Sequence, residues 1–397
     1  VSRSEPIVIL KRGREKSLLR RHPWVFSGAV GRVKGSPEPG QTADVVASDG
    51  RFLGRGAYCP SSQIRVRIWA FDQQQITREF FARKLAAAIG RRQAQLAVAE
   101  GACRLVHGES DGLPGLVIDR YGQYLVAQFL TAGTERWKQD IVAILAELVP
   151  CRGIFERSDA AVRAKEGLAP VKGVLWGREP PRRLIIEQAG IKILVDVHNG
   201  HKTGFYLDQA ENRPLVAGYC RGKTVLNCFS YTGGFSLAAL AAGAAHVTSI
   251  DSSKAVLDTA GRNLELNGFD PSRADFVNGN VFDVLRKYRD QGRRFDMVIL
   301  DPPKFVESYN HLKKASRAYK DINLQAMRII SPEGMLATFS CSGLIEPALF
   351  QKIVFDASLD AGRQACIIRR FSQAEDHPVA LNFPEGAYLK GLLCIVE

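Results

Sequence analysis

The feature that most restricts the fold of this 397-residue chain is an alternation that begins near residue 224. Short apolar runs of strand length precede longer runs of helix length: Thr224–Asn227 before Phe235–Ala242, Val247–Ile250 before Lys254–Asn267, and Phe276–Val277 before Phe282–Tyr288. Met297–Leu300 then precedes Lys314–Ile330, and Met335–Phe339 precedes Pro347–Ala361. Strands joined through helices run parallel, because each helix carries the chain back along the sheet. The spacing therefore predicts a doubly wound α/β domain over residues 191–397, with its ligand at the carboxyl ends of the strands. The uncharged stretch from Thr224 to Ile250 holds Asn227, Ser230, Thr232, two adjacent glycines and His246. It reads as a buried strand and helix, not as a membrane span.

Upstream the rhythm changes. Residues 1–72 read as a small β-rich domain, with turn signals between apolar runs such as Ala43–Ala47 and Ile64–Trp69. Residues 73–190 read as a central α+β domain. Helices are expected over Thr77–Val98 and Trp137–Leu148, a strand at Leu116–Ile118, and a tight turn at Tyr121–Gly122 leading into Tyr124–Phe129. Gly167–Pro181, with three prolines and three glycines, reads as loop.

Charge is distributed unevenly. The chain carries +13, and residues 1–70 supply 13 basic against 5 acidic side chains. Six of those cations fall between Lys11 and Arg21: Lys11, Arg12, Arg14, Lys16, Arg20 and Arg21. A localised basic field points to a polyanion, and nearby aromatics suit RNA. Trp24 and Phe26 are expected individually in the small core. Arg65 and Arg67 alternate with apolar neighbours, as on a strand with one wet, basic face. The first ten residues lack the apolar region of a secretory signal, and the eight cysteines are scattered without a CxxC pair. A cytoplasmic chain with reduced thiols, no membrane partner and no metal is expected. His198 and His201 lack the further ligands that a metal site requires.

Four features fall at predicted strand ends. Asn227-Cys-Phe-Ser-Tyr-Thr-Gly-Gly234 is a strand-to-helix turn without GxGxxG, and Asp251 follows the next strand. A carboxylate there can hold ribose hydroxyls, while the missing phosphate cradle disfavours a dinucleotide. That leaves room for S-adenosylmethionine, which has no pyrophosphate. Asp301-Pro-Pro-Lys304 gives a rigid extended exit, and it resembles the motif that lies against the target base in adenosylmethionine enzymes acting on planar nitrogen groups or bases. Cys341, between small polar residues in TFSCSG, is a candidate nucleophile one βα unit beyond Asp301. Carbon 5 of cytosine is a poor nucleophile until a thiolate adds to carbon 6. Cys341 suits that addition, and Asp301 could hold or protonate the ring.

GHKTGFYLDQ (200–209), VLNCFSYTGGFS (225–236), DPPKF (301–305), YKDIN (319–323) and FSCSG (339–343) together resemble the bacterial ribosomal RNA large subunit methyltransferase I family. KSLLRRHPWVFSGAV (16–30) resembles the start of that family's PUA domain, and the resemblance runs the full length. It implies a Rossmann-like methyltransferase domain preceded by a PUA RNA-binding domain and a central α+β domain. The implied reaction forms 5-methylcytosine in 23S ribosomal RNA from S-adenosylmethionine, with Cys341 as nucleophile. Implied cofactor contacts are Phe205, Asp208, Gln209, Asn227, Phe229, Ser230, Tyr231, Gly233, Asp251, Asn280 and Asp301. Pro302, Pro303 and Lys304 would meet the target base; Lys11, Arg12, Arg14, Arg20, Arg21, Arg65 and Arg67 would bind RNA.

Two positions depart from the pattern. Asn280 stands where an aspartate usually faces the adenine amino group, and an amide oxygen can accept the same bond. Ala210 stands where arginine is usual, which leaves the role of Arg213 open. A homodimer is the assembly to test. Guanine methylation by a related enzyme, which needs no covalent nucleophile, a non-catalytic PUA-type RNA-binding protein, and a Rossmann dehydrogenase are the competing readings.

Overall fold

Residues 5–97, 100–306 and 309–397 are described by a computed structural model that divides into two units. The first contains Val1–Ile186, Val195–Leu207 and Glu375–Gly386; the second contains Glu187–Leu194, Asp208–Ala374 and Ala387–Glu397. The predicted helix reaching Val98 ends on a residue outside the described set, as does the start of the chain, residues 1–4.

In the first unit, strands of period-two alternation build a six-stranded sheet. Its order is Trp24–Phe26, Ile64–Ala70, Phe52–Tyr58, Thr42–Val46, Ile7–Leu10, Val30–Lys34, around Val8, Leu10, Val25, Val45, Val66 and Ile68. A separate five-stranded sheet contains Val171–Gly177, Gly153–Ser158, Tyr124–Phe129, Leu116–Tyr121 and Ala102–His107. Its core joins Leu105 and Ile118 to Phe81 and Leu85 of the helix Arg78–Gly90, and to Ile141 and Leu145 of the helix Lys138–Leu148.

Four expectations need correction here. The long helix stops at Gly90 and resumes only at Gln93–Leu96. The break turns Arg92 inward, where its guanidinium donates to both oxygens of buried Asp111 at 2.9 and 2.8 Å. Gly167–Pro181 is not all loop, because Val171–Gly177 is an edge strand. Its glycines permit close pairing: Gly153 lies opposite Gly177, and a Cβ on Gly153 would fall 1.9 Å from the Arg178 carbonyl oxygen. Phe26 is 50 % exposed, because only Val25 of its three-residue strand faces the core. Arg67 is buried: the second face of its strand is covered, and its guanidinium pairs with Glu109 (3.4 Å) and Glu166 (3.0 Å).

The second unit carries the βα series. The strands are β1 (Thr224–Cys228), β2 (His246–Asp251), β3 (Ala274–Asn278), β4 (Phe295–Leu300), β5 (Ile330–Ser340), β6 (Ala365–Ser372) and β7 (Lys390–Val396). Between them run α1 (Gly234–Ala241), α2 (Lys254–Leu266), α3 (Val281–Asp290), α4 (Leu312–Ile329) and α5 (Pro347–Ala361). The sheet order is β3-β2-β1-β4-β5-β7-β6. The first five strands are parallel, as the spacing predicts, whereas β7 inserts antiparallel between β5 and β6. The register aligns Cys228 with Leu300, Leu300 with Thr338, and Asp251 with Asn278. The turns after β1, β2, β4 and β5 thus leave the same edge of the sheet, outside the strand carboxyl ends, where doubly wound folds bind ligands.

Candidate active site

The turn after β1 is held in a conformation that most residues avoid. Gly233 has φ +88°, and the neighbouring Phe229 and Tyr231 also lie in the left-handed region at +58° and +49°. Backbone bonds from Ser230 to Ile250 and from Gly233 to Ser230, both 2.9 Å, fix the loop. The Asp251 carboxylate ties it to the end of β2, accepting from Tyr231 N and Ser253 N at 3.0 Å each. Asn227 donates to Ser236 Oγ at 2.8 Å, yet its Oδ1 is buried with no hydrogen-bond partner among the described residues, as are Ser230 Oγ and Thr232 Oγ1. Three buried acceptors or hydroxyls left unsatisfied on one glycine turn fit a polar ligand at that turn.

Across the same edge, Gln209 donates to Asp301 Oδ1 at 3.0 Å and is itself braced by Asn212 at 2.6 Å. Buried Asp208 accepts from Tyr388 Oη at 2.8 Å. Arg213, also buried, donates to Gln188 Oε1 at 2.6 Å. Asn280 lies at the exposed start of α3, where its Oδ1 caps the helix by accepting from Phe282 N at 2.9 Å. The sequence assigned that oxygen to adenine; one of its lone pairs is already used locally. Phe205 falls in the first unit, where it is buried and its backbone N–H donates to Tyr121 Oη at 3.1 Å.

Cys341 follows β5 and is half-buried, and its Sγ donates to the Pro302 carbonyl oxygen at 3.9 Å. Pro302 is buried, whereas Pro303 and Lys304 are exposed. The cysteine lies between Ser340 and Ser342, both fully buried. Tyr319 of α4 packs on Phe305 with ring centroids 4.7 Å apart and shares a 3.1 Å hydrogen bond with Ser342 Oγ. The YKDIN segment thereby braces the cysteine turn. Burial pushes the thiols of Cys103, Cys220 and Cys394 up to about 12, so these three are inert packing groups. Lys390, absent from every motif read in the sequence, lies under the turn and donates to the carbonyls of Ser342 and Ile345.

In the first unit, Lys11, Arg12, Arg14, Arg20 and Arg21 are all exposed, around the short helix Lys16–Leu19. Leu19 and Phe26 stand out nearby at 55 % and 50 % exposure. Arg65 is half-buried and donates to the Cys59 and Pro60 carbonyls; with Arg67 it is engaged within the protein. His198 and His201 bond the Pro180 carbonyl and Tyr206 Oη respectively, and no cluster of metal-ligating side chains occurs among the described residues. Among those residues no helix is long and apolar enough to cross a membrane.

Comparison with known proteins finds relatives along nearly the whole chain. Residues 170–394 match the S-adenosylmethionine-dependent methyltransferase family, and residues 8–71 match the PUA-like domain. The chain is 53 % identical over 392 residues to ribosomal RNA large subunit methyltransferase I of Aliivibrio fischeri, covering 98 % of this chain and 99 % of that protein. A Streptococcus mutans structure assigned to the SAM-dependent methyltransferases superposes with a TM-score of 0.85 at 24 % identity, over 98 % of this chain and 99 % of the other. A methyltransferase structure holding S-adenosylhomocysteine superposes with the same score at 22 % identity and the same coverage.

Proposed function

The chain belongs to the ribosomal RNA large subunit methyltransferase I family, and from that premise we propose that it methylates carbon 5 of a cytosine in 23S ribosomal RNA through a covalent adduct with Cys341. It is an S-adenosylmethionine-dependent enzyme of large-subunit ribosomal RNA with a PUA-like amino-terminal domain. The observation that carries the finer reading is the position of the thiol. Cys341 is half-buried at the end of β5, 3.9 Å from the carbonyl of Pro302, on the rigid exit that follows Asp301. A guanine ring nitrogen already has a lone pair to offer, and its methylation would give such a cysteine no task.

When bound, S-adenosylmethionine supplies an electrophilic methyl group. Asn227, Ser230 and Gly233 on the β1 turn would hold it with Asp251, whose two oxygens each accept one backbone bond and retain capacity for ribose hydroxyls. Asp301, oriented by Gln209, would accept from the amino edge of the cytosine. Cys341 loses its proton and its sulfur forms a bond to carbon 6, which makes carbon 5 electron-rich. Carbon 5 would take the methyl group, with S-adenosylhomocysteine as the leaving group; a base then removes the proton from carbon 5, that electron pair restores the C5–C6 double bond, and the Cys341 thiolate is expelled. Lys11, Arg12, Arg14, Arg20 and Arg21 would grip phosphates, with Phe26 exposed beside them to stack on a base.

The test is nucleoside mass spectrometry of ribosomal RNA treated with labelled S-adenosylmethionine. The parent is expected to yield 5-methylcytosine, and Cys341→Ala none. Methylguanine as the product, or full transfer by the variant, would sink the cytosine assignment.

A further inference from the structure

Lys390 opens β7 and lies opposite Ser340 in the antiparallel register with β5. It is 7 % exposed, and its Nζ donates to the carbonyl oxygens of Ser342 at 2.6 Å and Ile345 at 2.8 Å. These two carbonyls span the turn that begins at Cys341. An ammonium has three N–H donors, and two carbonyls take two of them. Packing alone does not account for such a residue. Isolating an ammonium from water is unfavourable, and an apolar side chain would fill the same space without that penalty.

The surrounding charges show what the cation faces. Cys341 and Glu346 lie on the turn and at the start of α5, and both interact electrostatically with Lys390. Tyr319 reaches the turn from α4 through Ser342, and Asp301 and Lys304 belong to the exit from β4. Within this set, Lys390 is the buried cation bound directly to the backbone of the cysteine turn.

We propose that Lys390 is a positioning residue that raises the thiolate fraction of Cys341 at neutral pH, by clamping the Ser342 and Ile345 carbonyls and placing a buried positive charge under the cysteine turn. The proposal rests on the reading of Cys341 as the nucleophile. The thiol proton leaves to solvent, Lys390 keeps its own, and the sulfur lone pair becomes available for carbon 6. Burial draws the Lys390 ammonium down to about 8, so it remains charged at neutral pH and loses that charge just above it.

The test uses the full chain without RNA or cofactor. Iodoacetamide alkylation of each cysteine is followed by peptide mass spectrometry from pH 5.5 to 10, in the parent, Lys390→Arg and Lys390→Met. In the parent, the Cys341 midpoint is expected below the ordinary thiol value of about 8.5. In Lys390→Met it should rise by about one unit, with roughly tenfold slower alkylation at pH 7, and Lys390→Arg should restore most of the rate. Exposed Cys366 serves as the internal control and should not change. A parent midpoint at or above the ordinary value overturns the proposal even if the methionine variant fails to fold. Superposed profiles for parent and Lys390→Met, or an arginine variant as slow as the methionine variant, overturn it equally. These readouts stand apart from Cys341→Ala, whose retention of methyl transfer would refute the nucleophile reading instead.

Discussion

At the residue scale, Gly233 and Asn280 separate what the site requires from what it tolerates. Gly233 sits at φ +88°, and a Cβ there would approach Ala260 Cβ to 3.2 Å. Gly233→Ala should therefore lose about 1–2 kcal/mol, the penalty of left-handed backbone for an L-residue, before any crowding is added. Thermal unfolding would show the loss, and titration calorimetry should show weaker S-adenosylmethionine binding, because the strained turn carries the unsatisfied Ser230 and Thr232. Asn280→Asp should do the opposite. Its side chain already caps α3, and aspartate caps equally well while adding a negative charge at a helix amino terminus. Stability should hold or rise by up to about 0.5 kcal/mol, and cofactor affinity should increase; unchanged affinity would mean that position 280 acts only as a cap.

At the element scale, the basic segment 11–21 and the strand Ile64–Ala70 look alike in sequence and differ in structure. Both present arginines among apolar residues, but alternation reveals only that a strand has two faces, not what covers each. The first segment leaves its cations in solvent, whereas the strand buries Arg67 against Glu109 and Glu166 with its guanidinium 5.7 Å from the Trp24 ring centroid. Replacing Lys11, Arg12 and Arg14 together by alanine should leave stability unchanged. The slope of log affinity for RNA against log salt should fall by about 2 in magnitude if all three meet phosphates of a single strand. Arg67→Ala should instead destabilise the first unit by about 3–5 kcal/mol, since it strands two carboxylates, and urea denaturation would measure that. An RNA-binding defect in Arg67→Ala without loss of stability would reverse this assignment. The same logic explains Phe26, whose exposure depends on its phase in a three-residue edge strand, which composition does not set.

For the whole molecule, the parallel βα series was legible because each unit closes locally, with its strand, turn and helix consecutive in the chain. β7 was not, since it follows β6 without an α-helix and turns back antiparallel to insert between β5 and β6, outside the βα rhythm, and Lys390 was hidden with it. The buried charges of the first unit were equally illegible, because their partners are distant in sequence, and they make a prediction about the molecule's acid response. Burial, reinforced by the Arg104 guanidinium 3.3 Å from Nδ1, holds the His107 imidazole down to about 2. A neutral ring accepts from Arg104 there, and a protonated one could not. Unfolding releases the ring to its ordinary value of 6.5, so the unfolded chain binds a proton that the folded chain refuses. His107 thus contributes fully to stability above pH 6.5 and loses that contribution as pH falls toward 2, at about 1.4 kcal/mol per pH unit. Asp111, which Arg92 and Arg91 hold below its ordinary 3.8 despite burial, loses its contribution only below that value, so the windows separate. All four tryptophans, at 24, 69, 137 and 176, belong to the first unit, so their fluorescence reports its unfolding alone. Urea titrations at pH 6, 5 and 4 should show the parent weakening steeply, and His107→Gln, which keeps an acceptor for Arg104 but cannot titrate, weakening less by about 1.4 kcal/mol per unit. Parallel pH profiles for the two proteins would show that His107 is not the residue that makes the first unit labile to acid.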